Sequence, residues 1–348
     1  MTVSTDMLLA ECRRLTPELL RLVGEETADP GPEQAFHRLK RAKSRLGAAG
    51  LGDALGLDHR NELGVFEGVV RDLAQRAGRT AQGDADRRNL QIAILRFLDF
   101  CALMARRLGD AALQPAYTPD ASEELGRRQL RALELLVRSL VNEAAGDQQT
   151  LRRRLEAAYG AERVRTWLTS ADPDDLLSGT TFSELVSIFV DRKSFKAHHE
   201  PLFEDTAYLR FLRDRRETIR TFLEDVRRLR NAVAHNRRIT PLQLALLDLY
   251  YDELALPVDE AHRKHRTAVD PGVFLEVGAE QLDAWFDGLR EDLGAIREDL
   301  GGLVATTRGI DRRTRFIATG VKALLAAAAL GALVPPAWEA GRFFVHRW

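Results

Sequence analysis

The sequence predicts an all-α protein, and three observations carry that expectation. Proline is scarce, at 12 in 348 residues, and aromatics make up only 7 %, while Leu, Ala, Arg, Glu and Asp dominate. Apolar residues recur at helical spacing over long stretches. Several of the breaks between those stretches carry helix-start chemistry, as at QPAYTPDAS, SADPDDLLSG and Thr240-Pro241. A hydrophobic content of 45 % against 30 % charged residues is enough to bury a core, which argues against global disorder.

Residues 1–115 read as an N-terminal helical domain. Helices are expected at 7–24, 32–48, 60–77 and 87–108, and the last (RRNLQIAILRFLDFCALMARRL) is apolar around most of its circumference, as a core helix is. The glycine-rich 47–56 and the segment 77–86 read as loops. No strand precedes the glycines, so a phosphate-binding loop is not expected there. QPAYTPDAS at 114–122, with two prolines and a capping serine, marks a boundary.

Residues 123–260 form a second helical segment. Leu130, Leu133, Leu136, Val137, Leu140 and Val141 make one stripe of period 3.6. LRRRLEAAYGAERVRTWLT follows, then a loop at SADPDDLLSG, then a helix and turn over FSELVSIFVDRKSFKAHHEPLF. A long helix is expected at 208–235, with Leu209, Leu212, Ile219, Phe222, Val226, Leu229 and Val233 inward. Thr240-Pro241 then reads as an N-cap with proline at the first helical position.

A linker is expected at 261–281, within a charged stretch that includes a short extended piece at GVFLEV. Over 282–310, Leu282, Phe286, Leu289, Leu293, Ile296, Leu300 and Leu303 are spaced 4-3-4-3-4-3, the seam of a coiled coil and a route to a homodimer. The competing reading, an amphipathic helix packed on its own domain, draws on four glycines in the same span.

FIATGVKALLAAAALGALVPPAW, 316–338, is 23 residues and reaches roughly 35 Å as a helix, enough for a bilayer core. Lys322 sits near one end, where it can snorkel. Arg308, Arg312, Arg313 and Arg315 precede the run and fewer cations follow it, so a single transmembrane anchor would leave the main domains cytoplasmic. The abundance of alanine and the pair Pro335-Pro336 favour the alternative of a buried or partner-binding helix.

The net charge is −1, so any contact with nucleic acid has to be local. Cys12 and Cys101 match no metal or redox spacing, and Cys101 falls in an apolar run where a buried thiol is expected. No zinc-ligand, P-loop or dinucleotide pattern is present, and no metal or cofactor is expected.

The stretch that suggests chemistry is RNAVAHNR, 230–237. RNA carries its own nucleophile, the 2′-OH. Histidine is the side chain that can take that proton near neutral pH, and a guanidinium can stabilise the charge of the phosphorane. Arg230 and His235 are of these types. Five residues on a helix, however, means about 140° of rotation and about 7.5 Å of rise, so the pair does not converge on one phosphate in an unbroken helix. Either the helix loosens at Ala234-His235, or two copies bring their pairs to one cleft. The ordinary alternative is a polar helix end, where Arg and His satisfy carbonyls and the dipole.

Arg-polar-x-x-x-His near the end of a core helix, followed by a turn, resembles the motif of HEPN domains, and FSELVSIFVDRKSFKAHHEPLF before LEDVRRLRNAVAHNRRITP is similar in layout to bacterial members. The resemblance covers 123–260. It implies a helical bundle that dimerises and, in many members, a metal-independent endoribonuclease of toxin–antitoxin or anti-phage systems, under a protein activator or inhibitor; other members only bind partners. It assigns Arg230 and His235 as catalytic, with Asn231 the polar residue beside the arginine. Arg227, Arg237 and Arg238 flank the motif and are the expected RNA-binding cations. His198 and His199 read first as solvated turn residues, with a contribution to a site as the alternative.

Overall fold

The computed structural model describes residues 4–25, 31–78, 83–172, 174–204, 215–235 and 237–291. Every regular element among them is a helix, and the one β-type pairing is the isolated bridge between Asp172 and Asp175. Residues 1–286 form one compact unit, and 287–348 form a second, of which 287–291 are described and helical.

The first unit begins with α1 (Thr5–Leu22), α2 (Pro32–Leu55), α3 (Leu63–Ala77) and α4 (Asp84–Leu108). As its all-round apolar pattern predicts, α4 is central. Ile94, Leu95, Phe97, Leu98, Cys101 and Met104 are fully buried, and α4 packs against α1, α3 and, later in the chain, a helix beyond residue 240. The expectation of a loop at 47–56 is corrected: α2 runs on to Leu55. Only Gly47 departs from helical geometry, at φ 73°, and the helix resumes because Leu51 and Leu55 are buried.

Beyond the proline-containing 114–122 connection, α5 (Glu123–Ala145) starts at Ser122, whose hydroxyl accepts from the Leu125 amide. Its predicted stripe is buried throughout. Next come α6 (Gln148–Tyr159) and α7 (Ala161–Ser170), divided at Gly160 with φ 89°. A 3₁₀ turn at Leu176–Gly179 leads to α8 (Phe182–Phe189), which opens with a reciprocal capping box between Thr181 and Glu184.

The segment read as a turn after α8 is helical instead. It comprises α9 (Arg192–Ser194), a π-helical turn at Phe195–His199 and α10 (Glu200–Glu204). The expectation that His198 and His199 are both solvated is therefore half corrected: His198 is exposed, but His199 is buried against Phe189 with ring centroids 4.6 Å apart.

The long predicted helix is α11 (Arg215–Ala234). Ile219, Phe222, Val226 and Leu229 are buried as expected and Val233 is only half-buried; Leu209 and Leu212 lie outside the described residues. α12 (Pro241–Arg263) begins at the Thr240 cap, closed into a box by Gln243. The GVFLEV stretch is not extended: Gly272–Phe274 is a 3₁₀ turn.

Residues 279–291 are helical. Leu282 and Phe286, the first two positions of the predicted coiled-coil seam, are buried within the first unit, where the Arg127 guanidinium lies 4.6 Å from the Phe286 ring centroid. The start of the seam thus packs on its own domain, and residues 292–310 lie outside the described residues. No helix among the described residues is long and apolar enough to cross a membrane, and 316–338 lies outside them.

Candidate functional site

α11 carries the motif, and a buried ionic joint holds it in place. Asp225 faces inward from α11. Its carboxylate accepts from Arg96 Nε of α4 at 3.0 Å and from the Tyr250 hydroxyl of α12 at 2.5 Å, and Arg228 also pairs with it. Burial alone would push the Asp225 carboxyl up. The guanidiniums of Arg96 and Arg228 and the Tyr250 hydroxyl outweigh it, so the group lies below the usual carboxylate range. Burial, then the neighbouring Asp225, drive the Tyr250 phenol well above its ordinary value. One carboxylate thus ties three helices together just before the motif.

Arg230 also points inward. Its Nε lies 2.7 Å from Glu134 Oε2 of α5, a buried ion pair. The other Glu134 oxygen accepts from Arg138 at 2.9 Å. The Arg230 guanidinium is 5.5 Å from the centroid of Phe182 and 5.5 Å from that of Trp285. Its side chain is only 11 % exposed and that of Glu134 only 5 %. Arg230 therefore ties α11 to α5, to the start of α8 and to the helical stretch at 279–286.

His235 is placed oppositely. α11 remains helical through Ala234, and the His235 amide still donates to the Asn231 carbonyl at 3.0 Å. The Arg237 amide then reaches back to the Ala232 carbonyl at 2.8 Å, closing the helix end in the manner of a Schellman turn. Ala234 and Ile239 are buried on either side, so the short connection to α12 is pinned down while His235, Arg237 and Arg238 stand exposed. Of the two ways to bring Arg230 and His235 together, loosening of the helix before His235 is not seen. Within one chain the arginine is inside and the histidine outside. Asn231 and Arg227 are half-buried on the outer part of α11, and Arg227 is paired with Glu224 at 2.7 Å.

Behind the motif, Gln243 of the α12 capping box donates to Asp99 of α4 at 3.2 Å. Burial raises the Asp99 carboxyl above its ordinary value, only partly offset by that bond. No group of three or more His, Cys, Asp or Glu among the described residues is arranged to hold a metal ion.

The family model for STY4199-like HEPN proteins matches residues 2–271. The chain belongs to the STY4199-like HEPN family. No curated protein and no solved structure matches it. The HEPN match takes in the helices on both sides of the 114–122 connection, and those helices share one compact unit.

Sequence reasoning missed Glu134, Phe182 and Trp285 as neighbours of the HEPN arginine. For Glu134 a signal was present. It lies four residues after Leu130 and three before Val137, so it is a carboxylate set into the buried stripe of α5, where a charge is found only when paired.

Proposed function

We propose that this HEPN protein is a metal-independent endoribonuclease, an effector of toxin or anti-phage type, with His235 as the proton-transfer group. One observation carries the reading: the histidine of the motif stands exposed on a pinned turn, flanked by the exposed Arg237 and Arg238. His235 would take the 2′-OH proton and return one to the departing 5′-oxygen. The flanking arginines would hold the phosphodiester. Arg230 would stabilise the phosphorane after its guanidinium exchanges Glu134 for phosphate, since either anion offers two oxygens to its paired N–H donors. Asn231 would position the strand from one turn before His235. In this reading a second copy completes the cleft, because one unbroken α11 separates its own Arg230 and His235 by about 140°. Residues 292–310 would pair the copies, and 316–338 would tether them to the membrane with the helical unit on the cytoplasmic side. A protein activator or inhibitor would control access to the site.

A second reading draws on a specific observation, the capture of Arg230 by Glu134 between two aromatic rings. Such an arginine suits a non-catalytic helical scaffold that binds a protein partner at the membrane. Incubating single-stranded RNA with the detergent-solubilised full chain in EDTA separates the two. The ribonuclease reading expects cleavage that His235→Ala abolishes. The scaffold reading expects RNA left intact by both.

A further inference from the structure

A groove of about 440 Å³ lies between α8 and the N-terminal half of α11, away from the turn that carries His235. Arg192, Arg216 and Arg220 line it, with Asp191 and Glu224 its only carboxylates among the described residues and Val186 and Val190 on its wall. Both carboxylates are engaged elsewhere. Asp191 caps α9, accepting from the Lys193 amide at 3.1 Å and the Ser194 amide at 3.0 Å. Glu224 is held by Arg227. Arg216 Nη1 donates to the Val190 carbonyl at 3.3 Å, which sets its guanidinium on the groove wall. Arg216 and Arg220 share the exposed carboxylate of Glu217, at 3.4 and 3.3 Å, in surface contacts of the kind that contribute little and exchange readily for another anion.

The rim adds to this charge. Arg192, Lys193 and Lys196 are exposed, and none has a carboxylate partner among the described residues. Segments 191–196 and 215–224 together hold six Lys or Arg against three Asp or Glu, in a chain whose net charge is −1. The excess is therefore local, and it has a direction. Arg216, Arg220, Arg227 and Asn231 fall within an arc of about 60° along α11 and span roughly 22 Å, ending one turn before His235.

We infer that the α8–α11 groove is a phosphate track, binding single-stranded RNA by its phosphodiester backbone and leading it toward His235. The inference deepens the ribonuclease reading and rests on it for the choice of ligand. Among the described residues no aromatic side chain lines the groove, so the contacts they offer a strand are to its phosphates, and those contacts read charge rather than sequence.

The test uses the full chain carrying His235→Ala, and measures binding of a fluorescent mixed-sequence single-stranded RNA across a series of salt concentrations. Each phosphate contact to a single strand contributes about 0.7 to the slope of log K against log salt. Arg192→Ser/Arg216→Ser/Arg220→Ser should lower that slope by about 2 and weaken binding roughly 100-fold near 0.1 M salt. The corresponding triple lysine variant should keep the slope. Arg220→Ser alone, a small change at a surface position, should lose about 0.7 and serves if the triple variant does not fold. Arg152→Ser/Arg153→Ser/Arg154→Ser removes the same charge from α6 and should leave the slope unchanged. An unchanged slope in the groove variants overturns the track, as does an equal loss in the α6 variant. So does a loss confined to binding of anionic phospholipid vesicles, which would mark a membrane contact instead. Failure of the wild type to cleave, with RNA binding still dependent on the groove, removes the catalytic reading and leaves the track standing.

Discussion

Arg230→Ala is expected to weaken the fold before it says anything about catalysis. The substitution leaves Glu134, 5 % exposed, without the guanidinium 2.7 Å away, and empties the space between Phe182 and Trp285. Removing one partner of a buried ion pair costs about 3–5 kcal/mol. Arg138 still donates to Glu134 at 2.9 Å, which moves the figure to the lower end. Loss of two cation–π contacts adds terms of the same sign, about 0.5–1 kcal/mol each. A total loss of about 4–5 kcal/mol corresponds to a fall in Tm of roughly 7–8 °C for a unit spanning residues 1–286. His235→Ala, at an exposed position, should stay within about 0.5 kcal/mol of wild type. Urea and thermal unfolding of the full chain and both variants in detergent measure this directly. If Arg230→Ala unfolds like wild type, the structural role assigned to Arg230 is refuted. If the expected loss is found, activity missing from that variant cannot by itself be assigned to chemistry, and His235→Ala becomes the informative substitution.

Acid should destabilise the protein through His199, whose ring burial, then the adjacent His198, lower to a pKa of about 4. The unfolded chain binds the proton at its ordinary value near 6.5, so the stability contributed above 6.5 is lost as pH falls from 6.5 toward 4. The loss is about 2 kcal/mol by pH 5, and His199→Gln should flatten that part of the pH–stability curve in unfolding scans. A chain truncated after Ile310 should be dimeric by light scattering at concentrations on the order of micromolar; a monomer there would remove the shared-cleft argument. The full chain should sediment with membranes and resist extraction by high salt, and deletion of 316–348 should release it; retention of the deleted form would place the membrane contact elsewhere.

The helices were legible because their signals are local. The Thr240-Pro241 start, the stripe of α5 and the all-round apolar α4 each follow from residues within one helix. The misread stretches depended on distant partners. Glycines at 47–56 look like a loop until Leu51 and Leu55 find a core, and FKAHH looks like a turn until His199 packs against Phe189. The motif was visible as a pattern, but the opposite placement of its two ends was not. Spacing gives the 140° offset, whereas the partner that turns Arg230 inward, Glu134, lies 96 positions earlier in the chain, since 230 − 134 = 96. The joint of Arg96, Asp225 and Tyr250 was invisible for the same reason, as each residue alone reads as an ordinary surface or core position.

The central claim is that His235 serves RNA's own 2′-OH as nucleophile. The most direct measurement is the end-group chemistry of RNA cut by the full chain in EDTA, on a substrate with and without a single 2′-deoxy substitution at the cleaved nucleotide. The account predicts 2′,3′-cyclic phosphate and 5′-hydroxyl ends, no cut at the deoxy position, and no cut anywhere by a folded His235→Ala. Ends bearing a 5′-phosphate, cleavage at the deoxy position, or cleavage that survives His235→Ala would contradict it.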